Sequence, residues 1–436
     1  MVLMTAIMCP SAEASLKDDA GRFVQRLKLK NYEKANSTFT AKMKKLMGPA
    51  VLKDTWEKLT GSIGELDSII NIKEVESSGF QVVVLTGKFE KMTFDIKVVY
   101  DKEKKISGLY FSPGITTVPY KIPAYVKQNS FTEKEVAVDV GGWPLPGTVT
   151  IPKGKGPFPG VVLVHGSGPN DRDESIGPNK PFRDIAWGLA TQGIAVLRYD
   201  KRTKVHGAKF VEIMADTTVK EIVVEDAIEA ARVLQKTKAV DAKRVYLLGH
   251  SLGATVAPKI AQEASFLKGI IMLAPLARDL ADTVLDQHNY IFNLDGKIEE
   301  AEQKKLDEVK AAHKKIKALT AANKGEKEVL LIGSATFWLD LRQYSPTKVA
   351  KSLKLPMLLL HGGRDYQVND DDWRLWNEAL KGKKNVRARR YSKLNHLFFE
   401  GTGPCAPQEY ETQRNTEDYV IKDIISWVKS GQLVPQ

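Results

Sequence analysis

Ser251 stands at the centre of Gly249-His250-Ser251-Leu252-Gly253. The apolar, β-rich run Val245-Tyr246-Leu247-Leu248 precedes it, and Ala254-Thr255-Val256-Ala257, small residues that can begin a helix, follow it. A serine on a sharp strand-to-helix turn is a nucleophile elbow. Glycines two positions either side remove the Cβ atoms that would clash with strand and helix, and the hydroxyl is held clear of the sheet. The five-residue pattern alone occurs by chance in many chains; the strand before it and the helix after it give it meaning. A serine hydroxyl is a poor nucleophile at neutral pH, so the chemistry requires a base within hydrogen-bond reach and an acid to orient that base. After an elbow the order along the chain is serine, acid, histidine.

Downstream, Leu355-Pro356-Met357-Leu358-Leu359-Leu360-His361 reads as a buried strand that runs into Gly362-Gly363-Arg364-Asp365. Asp365 therefore sits on a loop at a strand's C-terminal end, where open α/β sheets place functional groups. His396, in Tyr391-Ser392-Lys393-Leu394-Asn395-His396, is the only histidine beyond Asp365 and is the base by position and by elimination. Asp370, Asp371 and Asp372 are rivals for the acid, but they follow Asn369 at the start of a helix-like stretch, where acids cap and complement the dipole. An oxyanion site is expected from the strand Gly160-Val161-Val162-Leu163-Val164 and the turn His165-Gly166-Ser167-Gly168-Pro169. There the backbone N–H of Ser167 can join that of Leu252 in holding a developing negative oxygen.

The remaining histidines have duller readings. His165 and His250 are expected to fix loop geometry, with His250 also bordering the substrate pocket, and His361 ends a buried strand. His206, His288 and His313 lack acidic or histidine partners at metal-ligand spacing, so no metal is assigned. No cofactor is needed for the chemistry described.

His165-Gly166-Ser167-Gly168-Pro169-Asn170-Asp171-Arg172-Asp173, Gly249-His250-Ser251-Leu252-Gly253-Ala254 and Gly362-Gly363-Arg364-Asp365-Tyr366-Gln367-Val368 together resemble a branch of bacterial α/β-hydrolase carboxylesterases. Members of that branch often carry an extra N-terminal α+β domain of uncharacterised function. The resemblance spans about residues 130 to 430, with three motifs matching in order. It implies Ser251 as nucleophile, Asp365 as acid, His396 as base, and Ser167 and Leu252 as oxyanion donors. It leaves the substrate open.

The elements that must position these residues follow from pattern. At 436 residues the chain is long enough for a large core and an accessory unit. Residues 15–112 lie outside the hydrolase part. Phe23, Leu27, Leu29, Tyr32 and Phe39 punctuate helix-like segments. Apolar runs around Ile70, Val82-Val83-Val84-Leu85, Phe94 to Tyr100 and Ile106 to Phe111 then read as an antiparallel meander. This small α+β unit resembles nuclear transport factor-like domains; substrate capture, dimerisation into a homo-oligomer and simple stabilisation are all open to it. A linker is expected over 113–125, and the catalytic domain over 126–436. There, strand and helix alternate as a mostly parallel central sheet with helices on both faces requires. About eighty residues separate Ile270-Ile271-Met272-Leu273 from the strand at Met357. Leu306, Val309, Ala312, Ile316 and Leu319 recur there at helical spacing. The expectation is a helical cap over about 279–352, with Phe337 and Trp338 contributing to an acyl pocket or packing cap against core.

The N-terminal Val2-Leu3-Met4-Thr5-Ala6-Ile7-Met8 resembles the end of a signal-peptide apolar region, and Ala12-Glu13-Ala14 offers a small-x-small cleavage pattern. Residues 1–14 are thus read as a signal-peptide remnant and the protein as exported to the cell envelope or beyond, with a cytoplasmic location as the alternative. Cleavage there leaves Cys405 alone, without an internal disulfide. No run approaches the roughly twenty apolar residues of a membrane span, so stable membrane insertion is not expected. The net charge of +12 invites a nucleic-acid reading, but the lysines alternate with Glu and Asp as on solvated helices and no nucleic-acid-binding motif accompanies them.

The sequence therefore points to an α/β-hydrolase fold preceded by a small α+β domain. Its expected work is hydrolysis of small-molecule carboxylic esters, of short to medium acyl chain, through a serine acyl-enzyme. A serine peptidase or acyl-peptide hydrolase is the first alternative, although no β-propeller-sized partner and no binder for a peptide terminus is evident. A non-catalytic ligand-binding protein of the same fold is the second.

Overall fold

The computed structural model describes residues 15–77, 80–113 and 120–435. The expected signal-peptide remnant at 1–14, with Cys9 and the cleavage motif, lies outside the described residues, as do positions 114–119 of the expected linker. The chain divides between Pro119 and Tyr120 into two units.

In the first unit, helices Leu16–Lys28, Tyr32–Asn36, Ala41–Leu46 and Pro49–Ile63 precede four strands, β1 (Leu66–Ser77), β2 (Phe80–Phe89), β3 (Thr93–Tyr100) and β4 (Ile106–Pro113). Local chemistry sets the helix starts. Ser15 and Asp18 form a capping box, the Thr40 hydroxyl accepts the N–H of Met43, and Pro49 occupies a first-turn position where its missing N–H costs nothing. The strands pair antiparallel in sequence order. Phe23, Leu27, Phe39, Leu52 and Trp56 from the helical segments share one core with Val83, Leu85, Ile96 and Val98 of the sheet.

The second unit is built on β5 (Phe131–Asp139), β6 (Pro144–Pro152), β7 (Phe158–Val164), β8 (Ala195–Tyr199), β9 (Val240–His250) and β10 (Gly269–Leu273). Two two-residue strands, β11 (Val329–Leu330) and β12 (Gly333–Ser334), pair with each other, and β13 (Met357–Gly362) and β14 (Val386–Tyr391) complete the set. Eight strands form one sheet in the order β14-β13-β10-β9-β7-β8-β6-β5, parallel except for β6 against β5 and β8. Side chains alternate across it as strand geometry demands. Val162 and Val164 of β7 enter one core with helices Glu225–Gln235 and Leu252–Glu263; Val161 and Leu163 enter the other, with helices Pro181–Thr191 and Asp418–Ser430. This is the α/β-hydrolase fold, a mostly parallel sheet with helices on both faces.

The strand order reverses at β7. The chain leaves β7 for β8 on one side and returns as β9 on the other, so a crevice opens at the C-terminal ends of β7 and β9, where such folds bind ligands. Register aligns the exits. Val164 pairs with Gly249, His250 with Leu273, and Leu273 with Leu360. The loops that begin at His165, Ser251, Ala274 and Gly363 therefore leave one edge of the sheet side by side.

Of the stretch expected as linker, residues 120–125 are built into this unit. The Tyr120 hydroxyl donates to the Asp184 carboxylate at 2.6 Å, and that of Tyr125 to the Thr416 carbonyl at 2.8 Å. Between β10 and β13 lie helices Leu280–Phe292, Glu300–Ala318, Ala335–Gln343 and Pro346–Ser352. Ala281, Ile316, Leu319, Leu330, Phe337 and Trp338 make a separate small core there.

The end of β8 is clamped by charge. Arg202 and Asp226 pair side by side, 3% and 1% exposed, with Glu225 the next carboxylate at 3.7 Å. A guanidinium left in so dry a place is costly. Asp226→Ala is expected to lower the unfolding free energy by about 3–5 kcal/mol, read by urea denaturation with tryptophan fluorescence. A loss below about 1 kcal/mol, the worth of a solvated pair, would show that water reaches Arg202.

Candidate active site

The elbow is a backbone arrangement before it is a chemical one. Ser251 has φ 52° and ψ −115°, a conformation that costs a residue with a Cβ and must be held by its surroundings. Its N–H donates to the Leu273 carbonyl at 2.9 Å, and its own carbonyl accepts the N–H of Thr255 at 2.8 Å and the Thr255 hydroxyl at 2.9 Å. The flanking glycines are required by contact. A Cβ on Gly249 would lie 2.3 Å from the Gly253 carbonyl oxygen, and one on Gly253 would lie 2.3 Å from that of Val164. The turn is thereby pressed against the end of β7.

Asp365 and His396 meet. The carboxylate Oδ2 lies 2.6 Å from His396 Nδ1, and Oδ1 accepts the N–H groups of Gln367 and Val368 at 2.8 and 2.9 Å. Both residues are buried. Burial alone would raise the Asp365 pKa. The charge and hydrogen bond of His396, with smaller help from His361 and the Val368 N–H, overcome it and hold the carboxyl below its ordinary value. The Asp365 loop and the His396 loop approach closely, since a Cβ on Gly362 would fall 2.4 Å from the Asn395 carbonyl oxygen. The buried Asn395 side chain shapes the second loop by accepting the N–H groups of Leu397 and Phe399, both at 3.1 Å. Among the described residues Ser251 Oγ and His396 Nε2 are not hydrogen-bonded to each other, a looseness common before substrate binds. The residue before Ser251 lies against His396: the His250 and His396 rings are 4.7 Å apart, and His250 Nε2 is 3.0 Å from the His396 carbonyl oxygen.

Ser167 sits in the turn after β7. The N–H before it, that of Gly166, is taken by Glu174 Oε1 at 2.7 Å, and the Gly166 carbonyl by Lys201 Nζ at 2.6 Å. Among the described residues the N–H groups of Ser167 and Leu252 have no acceptor. The rival acids are occupied elsewhere. Asp370 pairs with Arg390, and Asp372 accepts the N–H groups of Ala277 and Arg278 at 2.8 and 3.0 Å, fixing the loop after β10. His165 packs between Phe182 and Tyr199, and burial pushes its pKa down to about 4. His361 stacks on Trp373 and is likewise held low by burial.

A cavity of about 160 Å³ opens beside Leu252, lined among others by Thr255, Leu276, Arg278, Trp338 and Tyr344. Trp338 thus borders it, with its indole N–H on the Leu330 carbonyl. Phe337 packs on Trp338 behind it at 5.3 Å, and His250 is held between Glu174 and the His396 loop. Among the described residues no three His, Cys, Asp or Glu side chains converge as metal ligands, and no helix is long and apolar enough to cross a membrane. Sequence reasoning passed over Glu174 and Asn395. Asn395 carried a signal in its type, since Asn side chains favour bonds to backbone a few residues on; Glu174, one acid in a run of charged residues, carried none.

Residues 161–402 match the family described as Serine aminopeptidase, S33, and residues 20–109 the one described as Protein of unknown function (DUF3887). The chain is 40% identical over 412 residues to Esterase EstD of Thermotoga maritima, spanning 94% of each. Two more distant likenesses are to solved structures. A Pyrobaculum calidifontis esterase matches at 18% identity and TM-score 0.47, over 70% of this chain and 87% of that one. A Pyrococcus horikoshii acylaminoacyl peptidase matches at 14% and 0.46, over 85% and 51%. Neither bears on reaction or substrate.

Gly253→Ala tests the close approach at the elbow. It is expected to destabilise the fold by about 1–3 kcal/mol, the usual range for forced overpacking, measured by chemical denaturation. Unchanged stability would mean that the helix can withdraw from β7.

Proposed function

We propose, for a chain that belongs to the serine aminopeptidase S33 family, that it hydrolyses carboxylic esters by a two-step acyl-enzyme route with Ser251 as nucleophile. The observation that carries this reading is the buried Asp365–His396 pair, at the same sheet edge as a serine held at positive φ on the strand-to-helix turn and against the residue before that serine. His396 takes the Ser251 proton as the hydroxyl attacks the ester carbonyl. Asp365 accepts from Nδ1 and so presents Nε2 to the serine, and it stabilises the imidazolium that forms. The free N–H groups of Ser167 and Leu252 hold the oxyanion, where preorganised donors act most strongly. His396 then protonates the departing alcohol. Water, activated by the same base, releases the acid.

The full-length likeness to an esterase favours an ester over a peptide as substrate, although the family description names an aminopeptidase. The cavity beside Leu252, with Trp338 on its wall, suits an acyl group of short to medium length.

Intact-mass labelling with a fluorophosphonate, followed by peptide mapping, is expected to place one adduct on Ser251. Ser251→Ala should lower kcat by about 10⁴- to 10⁶-fold, and retention of near-full activity sinks the assignment. Asp365→Asn should cost about 10⁴-fold through the wrong histidine tautomer; a larger loss in Asp370→Asn would move the acid. In a p-nitrophenyl ester series from acetate to palmitate, kcat/KM should peak at the shorter chains, and a matched peptide amide should be turned over far more slowly. An amide preferred to its ester would establish the peptidase reading.

A further inference from the structure

Behind the site described lies a second acid and imidazole. Glu174, buried and at φ 50°, accepts the Gly166 N–H through Oε1. Its Oε2 lies 2.9 Å from His250 Nδ1, near enough for an ion pair though out of line for a well-formed hydrogen bond, and neither atom has another partner among the described residues. The other nitrogen of His250 faces the His396 carbonyl oxygen at 3.0 Å. Carboxylate and carbonyl are both acceptors only, whereas a neutral imidazole has a single N–H to give. A bare nitrogen lone pair against either oxygen would be repelled in a place water does not reach. With Glu174 ionised, both neighbours are satisfied only when His250 carries both protons.

We infer that Glu174 and His250 form a buried carboxylate–imidazolium pair that positions the two halves of the site at once, Glu174 holding the loop that presents Ser167 and His250 holding the backbone of His396. Neither touches substrate; both are positioning residues, and their part in turnover rests on the reaction proposed above.

The surrounding charges agree. From the end of β8, Lys201 reaches the same Gly166, and from the Asp365 loop a second carboxylate acts on His250; His165, at the start of the turn after β7, is held neutral by burial. Burial alone would depress the His250 pKa, but the charge and contact of Glu174, then the His396 carbonyl and Asp365, raise it. Burial alone would raise the pKa of Glu174, and the opposing charge and contact of His250, with the Gly166 N–H, lower it. Such a pair adds little stability over an apolar replacement of the same shape, so its effect is to be read in orientation.

The test uses the full chain labelled with [15N]histidine. At pH 7.5 both ring nitrogens of His250, assigned by His250→Gln, should resonate as protonated. In Glu174→Gln, whose amide can accept from Gly166 and donate to Nδ1, the ring should become neutral. Glu174→Ala should lower kcat about 100-fold, the cost of a small misplacement, with KM within threefold and fluorophosphonate labelling slowed in parallel. Glu174→Gln should recover at least a tenth of wild-type kcat. A neutral His250 ring in the wild-type chain, or wild-type kcat in Glu174→Ala, overturns the inference. Should Glu174→Ala not fold, the wild-type ring spectrum and the Glu174→Gln kinetics decide. A wild-type chain that takes no adduct on Ser251 overturns the reaction instead, and the His250 spectrum still reads the charge of the pair.

Discussion

Gly253 touches the end of β7 where a side chain has no room, and the catalytic geometry hangs on that contact. A Cβ there would lie 2.3 Å from the Val164 carbonyl oxygen and 2.6 Å from that of His165. Because helix Leu252–Glu263 can come so near, Ser251 is pinned in its positive-φ turn directly beside the loop that carries Ser167. The reversal of strand order at β7 supplies the crevice, and the glycines let backbone fill it without side chains in the way. The proposed nucleophile and oxyanion donors are thus set by main-chain packing.

The proposed acid and base are held differently. Asp365 and His396 come from loops, and loops must be fixed by polar contacts because they lack a ladder. The solution recurs around this edge of the sheet: a buried carboxylate accepts backbone N–H and faces one nitrogen-bearing side chain. Asp365 does so with Gln367, Val368 and His396; Asp372 with Ala277, Arg278 and the Arg278 guanidinium; Glu174 with Gly166 and His250. Each site satisfies donors that would otherwise be stranded, which is why these acids can be buried at all.

Most of this was legible where pattern follows from physics. Continuous apolar runs such as Val161 to Val164 and Leu358 to Leu360 must be buried parallel strands, and of the expected stripe Leu306, Val309 and Ile316 lie buried along helix Glu300–Ala318, Leu319 is buried at its C-terminal cap, and Ala312 is half-buried. Strand β14, Val-Arg-Ala-Arg-Arg-Tyr, escaped because its arginines disguise an edge strand. Arg389 and Tyr391 are paid for by Asp423 in helix Asp418–Ser430, a partner more than thirty residues away that no local pattern announces. Glu174 escaped for the same reason: its meaning lies in His250, a residue made adjacent only by the fold. Sequence periodicity reports what a residue does to its neighbours in the chain, and long-range polar pairs leave no period.

The second pair also bears on the charge that develops on His396 in the proposed reaction. With ring centroids 4.7 Å apart, an uncompensated charge on His250 would oppose the imidazolium that His396 must become by about 3–4 kcal/mol at an effective dielectric near 20. That repulsion would fall on the step in which His396 takes the serine proton. With Glu174 beside it the charge becomes a dipole, whose effect at His396 is far smaller than that of either member alone. Asp365 then remains the carboxylate in direct contact with His396, at Nδ1. Two imidazoles can share this corner of the active site only because each has its own carboxylate. Removing Glu174 therefore both loosens the Gly166 loop and exposes His396 to a competing cation, unless His250 gives up a proton and with it the hold on the His396 carbonyl or on the Glu174 side of the loop.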